Sequence, residues 1–226
     1  MATRIIPINV GFDTCYVLVA EGRIALDAGQ PKKIRAFLNG LIQAAVDPSS
    51  ISTLILTHAH WDHMGSAHDI RAVTAAALWV HETEADWVRS GDPPLPPGVT
   101  RWGRTFMAVH RLVMPLIDVP PAEVDHELGS DPLRLDDLGI PGLLLHTPGH
   151  SPGSISVILD TGEAFVGDLA MNRVPLCRAP SLPIFAESAE EVRRSWERLL
   201  RYPISMIYPA HGAAFGVEVI QRLLDA

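Results

Sequence analysis

The sequence predicts an α/β fold in one domain spanning residues 1–226, and three observations carry that expectation. Short apolar segments rich in β-formers alternate with segments of helical periodicity, the pattern of helices covering a sheet. The length of 226 residues suits one hydrophobic core, and 47% of the residues are hydrophobic, enough to fill it. Histidines and aspartates recur just past predicted strands in both halves of the chain, where the loops of α/β folds carry chemistry.

Residues 14–20 are rich in β-formers, and Glu21 with Gly22 turns the chain into a second strand over 23–27. Ala28 and Gly29 end that strand. Pro31 then opens a helix, because Ile34, Phe37, Leu38, Leu41 and Ile42 fall at helical spacing; Asp47 and Pro48 stop it. A short apolar strand follows over 51–57, then a helix over about 66–76 and a strand over 77–80. Residues 82–121 read as a cap or insertion, with a stiff turn of four prolines over 92–98 and an apolar helical segment over about 101–114. That segment carries Trp102, Phe106, Met107, Val109, Leu112, Val113 and Met114. It is read as packing onto the domain or burying a homodimer seam, with a lid over a substrate pocket as the other reading.

Strands return over 143–146, 154–159 and 163–166. Ser188 is placed to cap an amphipathic helix ending near Leu200, with Glu190 and Glu191 in the first turn against the positive end of its dipole. A strand over 206–208 and a helix over 217–224 complete the order.

Charge and composition exclude several functions. The formal net charge is −8 and no stripe of Lys and Arg runs along the chain, which argues against nucleic acid as a partner. A small anionic substrate stays compatible, because a metal site supplies positive charge locally. Residues 1–10 lack the basic and apolar pattern of a signal peptide, and no apolar run approaches the roughly 20 residues that cross a bilayer. The expectation is therefore a cytoplasmic protein without a membrane partner. Cys15 and Cys177 have neither metal-ligand spacing nor the numbers for a disulfide framework, and each is read as a small buried hydrophobe.

The chemistry concentrates after the predicted strand over 51–57. His58, His60, Asp62 and His63 fall within six residues, and imidazole with carboxylate suits zinc, iron or manganese. In an extended loop His58 and His60 point the same way, because side chains alternate with period two. Asp62 and His63 then lie where the chain turns into a helix and can face a second ion. Three later residues share one context: His150 in a Pro-Gly turn, Asp168 after Gly167, and His211 before Gly212, each past a predicted strand. Turns of this kind aim a side chain from a rigid scaffold into a shared cleft. His68, His81, His110, His126 and His146 are read as outside the ligand set, although His81 and His146 end strands near enough to contact substrate. Trp61 is read as either a pocket wall or a packing residue between two ligands.

These residues closely resemble the metallo-β-lactamase superfamily. His58, His60, Asp62 and His63 match its H-x-H-x-D-H motif, His150, Asp168 and His211 match its later ligands in order, and Asp27 lies in its early Leu-Asp-Ala-Gly turn. The resemblance implies an αββα four-layer sandwich with the site at one edge. It implies two divalent metal ions, zinc in the first instance with iron or manganese as variants. His58, His60 and His150 would hold the first, Asp62, His63 and His211 the second, and Asp168 both, which gives Asp62 and Asp168 catalytic parts. A metal-bridging hydroxide would be the nucleophile, since metal binding lowers the pKa of water from about 15.7 to about 7. Asp27 would accept from a ligand imidazole or, alternatively, only close its own turn.

Departures from the family's patterns narrow the substrate. β-Lactamases of this fold carry Cys or Ser where Asp168 stands, and flavin-partnered di-iron members carry Glu where His60 stands. The seven ligands match glyoxalase II-type thioesterases, but only 15 residues follow His211, and residues 167–173 lack the Gly-Cys-Gly-Arg pattern after the aspartate. The expected activity is hydrolysis of a small ester, thioester or lactone. The alternative on the same fold is a mononuclear iron persulfide dioxygenase-type oxidoreductase.

Overall fold

The computed structural model describes residues 3–98, 116–172 and 179–225. Two six-stranded sheets divide the chain between them. The first is laid down in chain order: β1 (Arg4–Asn9), β2 (Thr14–Val19), β3 (Arg23–Leu26), β4 (Thr53–Ile55), β5 (Ala77–His81) and β6 (His126–Leu128). Tight turns make β1, β2 and β3 antiparallel. From β3 onward the pairs are parallel, because the connections cross over the sheet as helices. Those helices are α1 (Ile34–Gln43), α2 (Trp61–Met64), α3 (Ala67–Thr74) and α4 (Ala85–Ser90).

The second sheet has the order β12 (Phe215–Gly216), β11 (Met206–Pro209), β10 (Glu163–Gly167), β9 (Ile155–Leu159), β8 (Gly142–His146) and β7 (Leu133–Arg134). Only β10 and β11 pair in parallel, and α5 (Ala189–Leu199) lies between them in sequence. A final helix, α6 (Glu218–Leu224), follows β12.

Strand alternation sorts the side chains into three apolar layers. Tyr16, Leu18, Ile24, Leu26 and Ile55 meet Leu144, Ile155, Val157, Leu159 and Phe165 between the sheets. The opposite-facing Cys15, Val17, Ala25 and Leu54 pack under Phe37, Leu41, Ile70 and Val88 of the helices. On the far side, Ile158, Ala164 and Val166 pack under Val192, Trp196, Leu199 and Ile220. The order is therefore helix, sheet, sheet, helix: the αββα sandwich. Period-two alternation between two covered faces buries a strand at every position, as in β9, where the one polar residue, Ser156, bonds Thr147 Oγ1 at 2.8 Å. Trp196 and Phe37 are fully buried, and each such side chain stabilises the fold by up to about 3 kcal/mol.

Local differences from the sequence reading have physical reasons. β1 was not expected, because Pro7 interrupts Ile5, Ile6 and Ile8; as an edge strand bonded only to β2, it tolerates a residue with no N–H to donate. The helix expected over 66–76 is α3, which stops at Ala75 with φ 59°, and a separate single-turn helix, α2, precedes it. Ser188 does cap α5, its hydroxyl accepting from Glu191 N at 3.2 Å. Within 82–121, Ala85, Val88 and Val119 join the core of the first sheet. The helical segment over 101–114, with its lid and dimer readings, lies outside the described residues, as do His110 and Cys177. Cys15 is buried, and none of the described helices is long and apolar enough to cross a membrane.

Candidate metal centre

All seven residues expected to bind metal lie past strand ends at the same end of the two sheets. His58 and His60 lie in the loop after β4, and His60, in extended backbone, is the N-cap of α2, its carbonyl accepting from His63 N and Met64 N. The short helix then carries Asp62 and His63. His150 lies in the loop after β8, Asp168 directly after β10 and His211 after β11. Gly167, with φ 52°, makes the turn before Asp168, and a Cβ there would collide with the side chain of Thr57.

The side chains converge as two groups with one residue between them. His58, His60 and His150 place one nitrogen each within 4.8 Å of one another; His58, His63 and Asp168, and likewise Asp62, His63, His211 and Asp13, each place one imidazole nitrogen or carboxylate oxygen equally close. The Asp168 carboxylate is divided: Oδ1 is 3.4 Å from His63 Nε2 and 3.3 Å from His211 Nε2, while Oδ2 is 3.5 Å from His150 Nε2. His60 Nδ1 faces His150 Nε2 at 2.9 Å, and His211 Nε2 is 3.7 Å from Asp62 Oδ2. The five imidazoles and Asp168 are buried, whereas the Asp62 side chain is 21% exposed and marks where solvent reaches the cluster.

Four of the five imidazoles are also held from behind. His58 Nδ1 lies 3.3 Å from Thr57 Oγ1, and His150 Nδ1 lies 2.8 Å from the carbonyl of Phe185. His63 Nδ1 lies 3.1 Å from Asp27 Oδ2, and the same carboxylate accepts from Thr57 N at 2.7 Å. Asp27 therefore serves the site rather than only its own turn. Its φ of 60° is one that Asp tolerates at modest cost, and it aims the carboxylate at His63. His211 Nδ1 lies 3.2 Å from both the Phe12 carbonyl and Asp13 Oδ1.

The two groups differ electrostatically. Burial, then the neighbouring imidazoles, push His58 and His60 well below the ordinary histidine range, and burial lowers His150 too. Burial works against the charge on His63 and His211 as well, but Asp168 outweighs it, with Asp27 helping at His63 and Asp13 at His211. His63 rises well above its usual value and His211 to about 10. Asp168 is correspondingly held low by His211 and His63 against its own burial, while burial and Asp62 push Asp13 up to about 7.

The donor set suits divalent metal ions. His58 Nε2, His63 Nε2 and Asp168 Oδ1 are buried without a hydrogen-bond partner, a costly arrangement that a cation between them relieves. Dense imidazole and carboxylate is the chemistry of zinc, iron and manganese sites.

Other residues fall elsewhere. His81 is buried and stacks on His146 with centroids 4.1 Å apart, His68 bonds the Pro121 carbonyl on the surface, and His126 packs against Trp79. Trp61 packs against the first-sheet core. Two carboxylates at the site escaped the sequence reading. Asp13 reads as a turn residue after Gly11. Glu84 reads as an acid in a first helical turn, yet it is fully buried and bonds Ala59 N and Gly153 N. Neither carries a signal in a single sequence.

Comparison with known proteins agrees with this architecture. The chain is 26% identical over 147 residues to the probable metallo-hydrolase YflN of Bacillus subtilis, covering 63% of this chain and 53% of that one. It is 28% identical over 210 residues to the probable metallo-hydrolase M6_Spy0554 of Streptococcus pyogenes, covering 89% and 79%. It is also 28% identical over 123 residues to the hydroxyacylglutathione hydrolase GloC of Haemophilus influenzae, covering 53% and 50%. The chain thus spans about half the length of YflN and GloC. Among solved structures, the superfamily protein ST1585 from Sulfolobus tokodaii superposes with TM-score 0.70 at 21% identity, covering 100% of this chain and 86% of that one. The BLEG-1 B3 metallo-beta-lactamase superposes with TM-score 0.70 at 20% identity, covering 100% and 97%. Residues 8–211 match the sequence profile of the metallo-beta-lactamase superfamily, and with the αββα sandwich and the histidine-aspartate cluster in place, the chain belongs to that superfamily.

Proposed function

We propose that this chain is a hydrolase that holds two divalent metal ions, with His58, His60 and His150 on one, Asp62, His63 and His211 on the other, and Asp168 shared. The observation that carries the reading is the division of the Asp168 carboxylate, one oxygen toward His63 and His211 and the other toward His150. Ions held there supply Lewis acidity and bring the pKa of a bound water to about 7, within reach of neutral pH. The chain's own residues orient and insulate that chemistry. Asp27, Asp13, Thr57 and the Phe185 carbonyl fix the imidazole rings, which are buried, while the Asp62 side chain is 21% exposed. Outer partners of this kind set ring orientation and tautomer.

The substrate class we favour is a small ester, thioester or lactone, cleaved in the cytoplasm without a nucleic-acid or membrane partner. The probable metallo-hydrolases and the hydroxyacylglutathione hydrolase among the similar proteins support hydrolysis, and thioester cleavage in particular. The test is a panel of lactones and thioesters assayed on native, chelator-stripped and zinc-, manganese- or iron-restored protein. Hydrolysis lost on stripping and regained with metal supports the reading. Oxygen uptake with thiol persulfides in place of hydrolysis would overturn it in favour of the mononuclear iron oxygenase.

A further inference from the structure

The three-imidazole group is assembled from two loops that belong to different sheets. His58 and His60 ride on the loop after β4, and His150 on the loop after β8. One backbone bond, Ile155 N to Thr57 O at 2.8 Å, joins the two strand ends, and the ligands themselves project beyond it.

Glu84 lies between these loops. It is the last residue of a single 3₁₀ turn, Glu82–Glu84, at the start of α4, and it is 0% exposed. Its Oε2 accepts from Ala59 N at 2.5 Å, and its Oε1 accepts from Gly153 N at 2.7 Å. Ala59 is the residue between His58 and His60, and Gly153 closes the turn that carries His150. Each loop thus receives one oxygen of one carboxylate. Gly153 leaves the room for this: a Cβ there would stand 2.7 Å from Glu84 Cγ and 2.8 Å from its Cδ. No Lys or Arg pairs with Glu84 among the described residues; burial pushes its carboxyl up from the usual range, and the Ser151 hydroxyl and the Ala59 and Gly153 amides work against that rise.

We propose that Glu84 is a positioning residue for the His58–His60–His150 group: by accepting from Ala59 N and Gly153 N with separate oxygens, it sets the spacing of the two ligand loops and through it the metal affinity of that group alone. The proposal rests on the two-metal reading above. A purely structural carboxylate would add stability to the fold without distinguishing one metal site from the other.

The test is a cobalt(II) titration of metal-free protein, followed by visible absorption and by elemental analysis, alongside melting curves of the metal-free forms. His150→Ala identifies which binding step belongs to the three-imidazole group. Glu84→Gln keeps one acceptor oxygen but presents an NH₂ to the other amide, so one loop is released. It should weaken the step that His150→Ala abolishes by about 10–100-fold, the range for outer partners of metal ligands, and leave the other step in place. Gly153→Ala keeps the carboxylate but displaces it, so it should weaken the same step and carries the test if Glu84→Gln does not fold. Isotherms unchanged in both variants, or both steps weakened equally in proportion to lost metal-free stability, would overturn the role of Glu84 while leaving the two-metal reading intact. A wild-type protein that binds no cobalt would overturn both.

Discussion

His58, His60 and His150 are backed by a hydroxyl, a carbonyl and a strap across backbone amides, whereas His63 and His211 each lean on a buried carboxylate. The same side-chain chemistry is thereby put to two electrostatic uses. In the first group burial, with neighbouring imidazoles at His58 and His60, pushes the imidazoles toward the neutral form. The second is a cluster of opposed charges in which Asp27 and Asp13 stand behind the imidazoles and Asp168 stands in front. What the difference teaches is that side chains of one kind take two electrostatic settings from the groups that stand behind and beside them. Three carboxylates, Asp13, Asp27 and Glu84, stand among those groups, and only Asp27 sits in a position the sequence advertises.

The comparison breaks most severely at the residue common to both groups. Asp168→Ala should reduce bound metal and lower hydrolysis by more than about 100-fold, beyond the loss expected for an outer partner, with the fold retained. Elemental analysis, steady-state rates and circular dichroism check it together, and full activity in this variant would end the shared-ligand account.

Smaller and more selective effects should follow at the supporting carboxylates. Asp13→Asn and Asp27→Asn should each weaken only the step not abolished by His150→Ala, by about 10–100-fold. Calorimetric zinc titrations read this directly. Equal weakening of both steps would show that the halves are not supported separately.

The smallest expected effect is in acid, at the start of the turn that carries Glu84. Burial and then the neighbouring His146 push His81 down to about 4, while the unfolded chain takes up that proton near pH 6.5. Between those values the unfolded state binds more protons, so stability falls as pH falls from 6.5 and levels off near 4. His81→Asn keeps an acceptor for the Thr83 amide without titrating, and its pH–stability curve should be flatter over that window in denaturant melts.

The sequence made some of this legible and hid the rest for identifiable reasons. The seven candidate ligands were readable because dense imidazole and carboxylate after an apolar strand has few structural uses. Strand alternation with helices made the α/β class readable too. β1 was hidden by Pro7, and β7 and β12 by lengths of two residues, too short to show any periodicity. Asp13 and Glu84 were hidden more deeply. A turn aspartate and a first-turn glutamate are ordinary at those positions, and only the packing of distant loops around them makes them part of the site.

The measurement that tests the central claim most directly is metal content per chain, by elemental mass spectrometry on protein purified without added metal or a metal-charged resin. Two divalent ions per chain, falling in Asp168→Ala, is the predicted result. A single iron per chain, with no second ion taken up on titration, would contradict it.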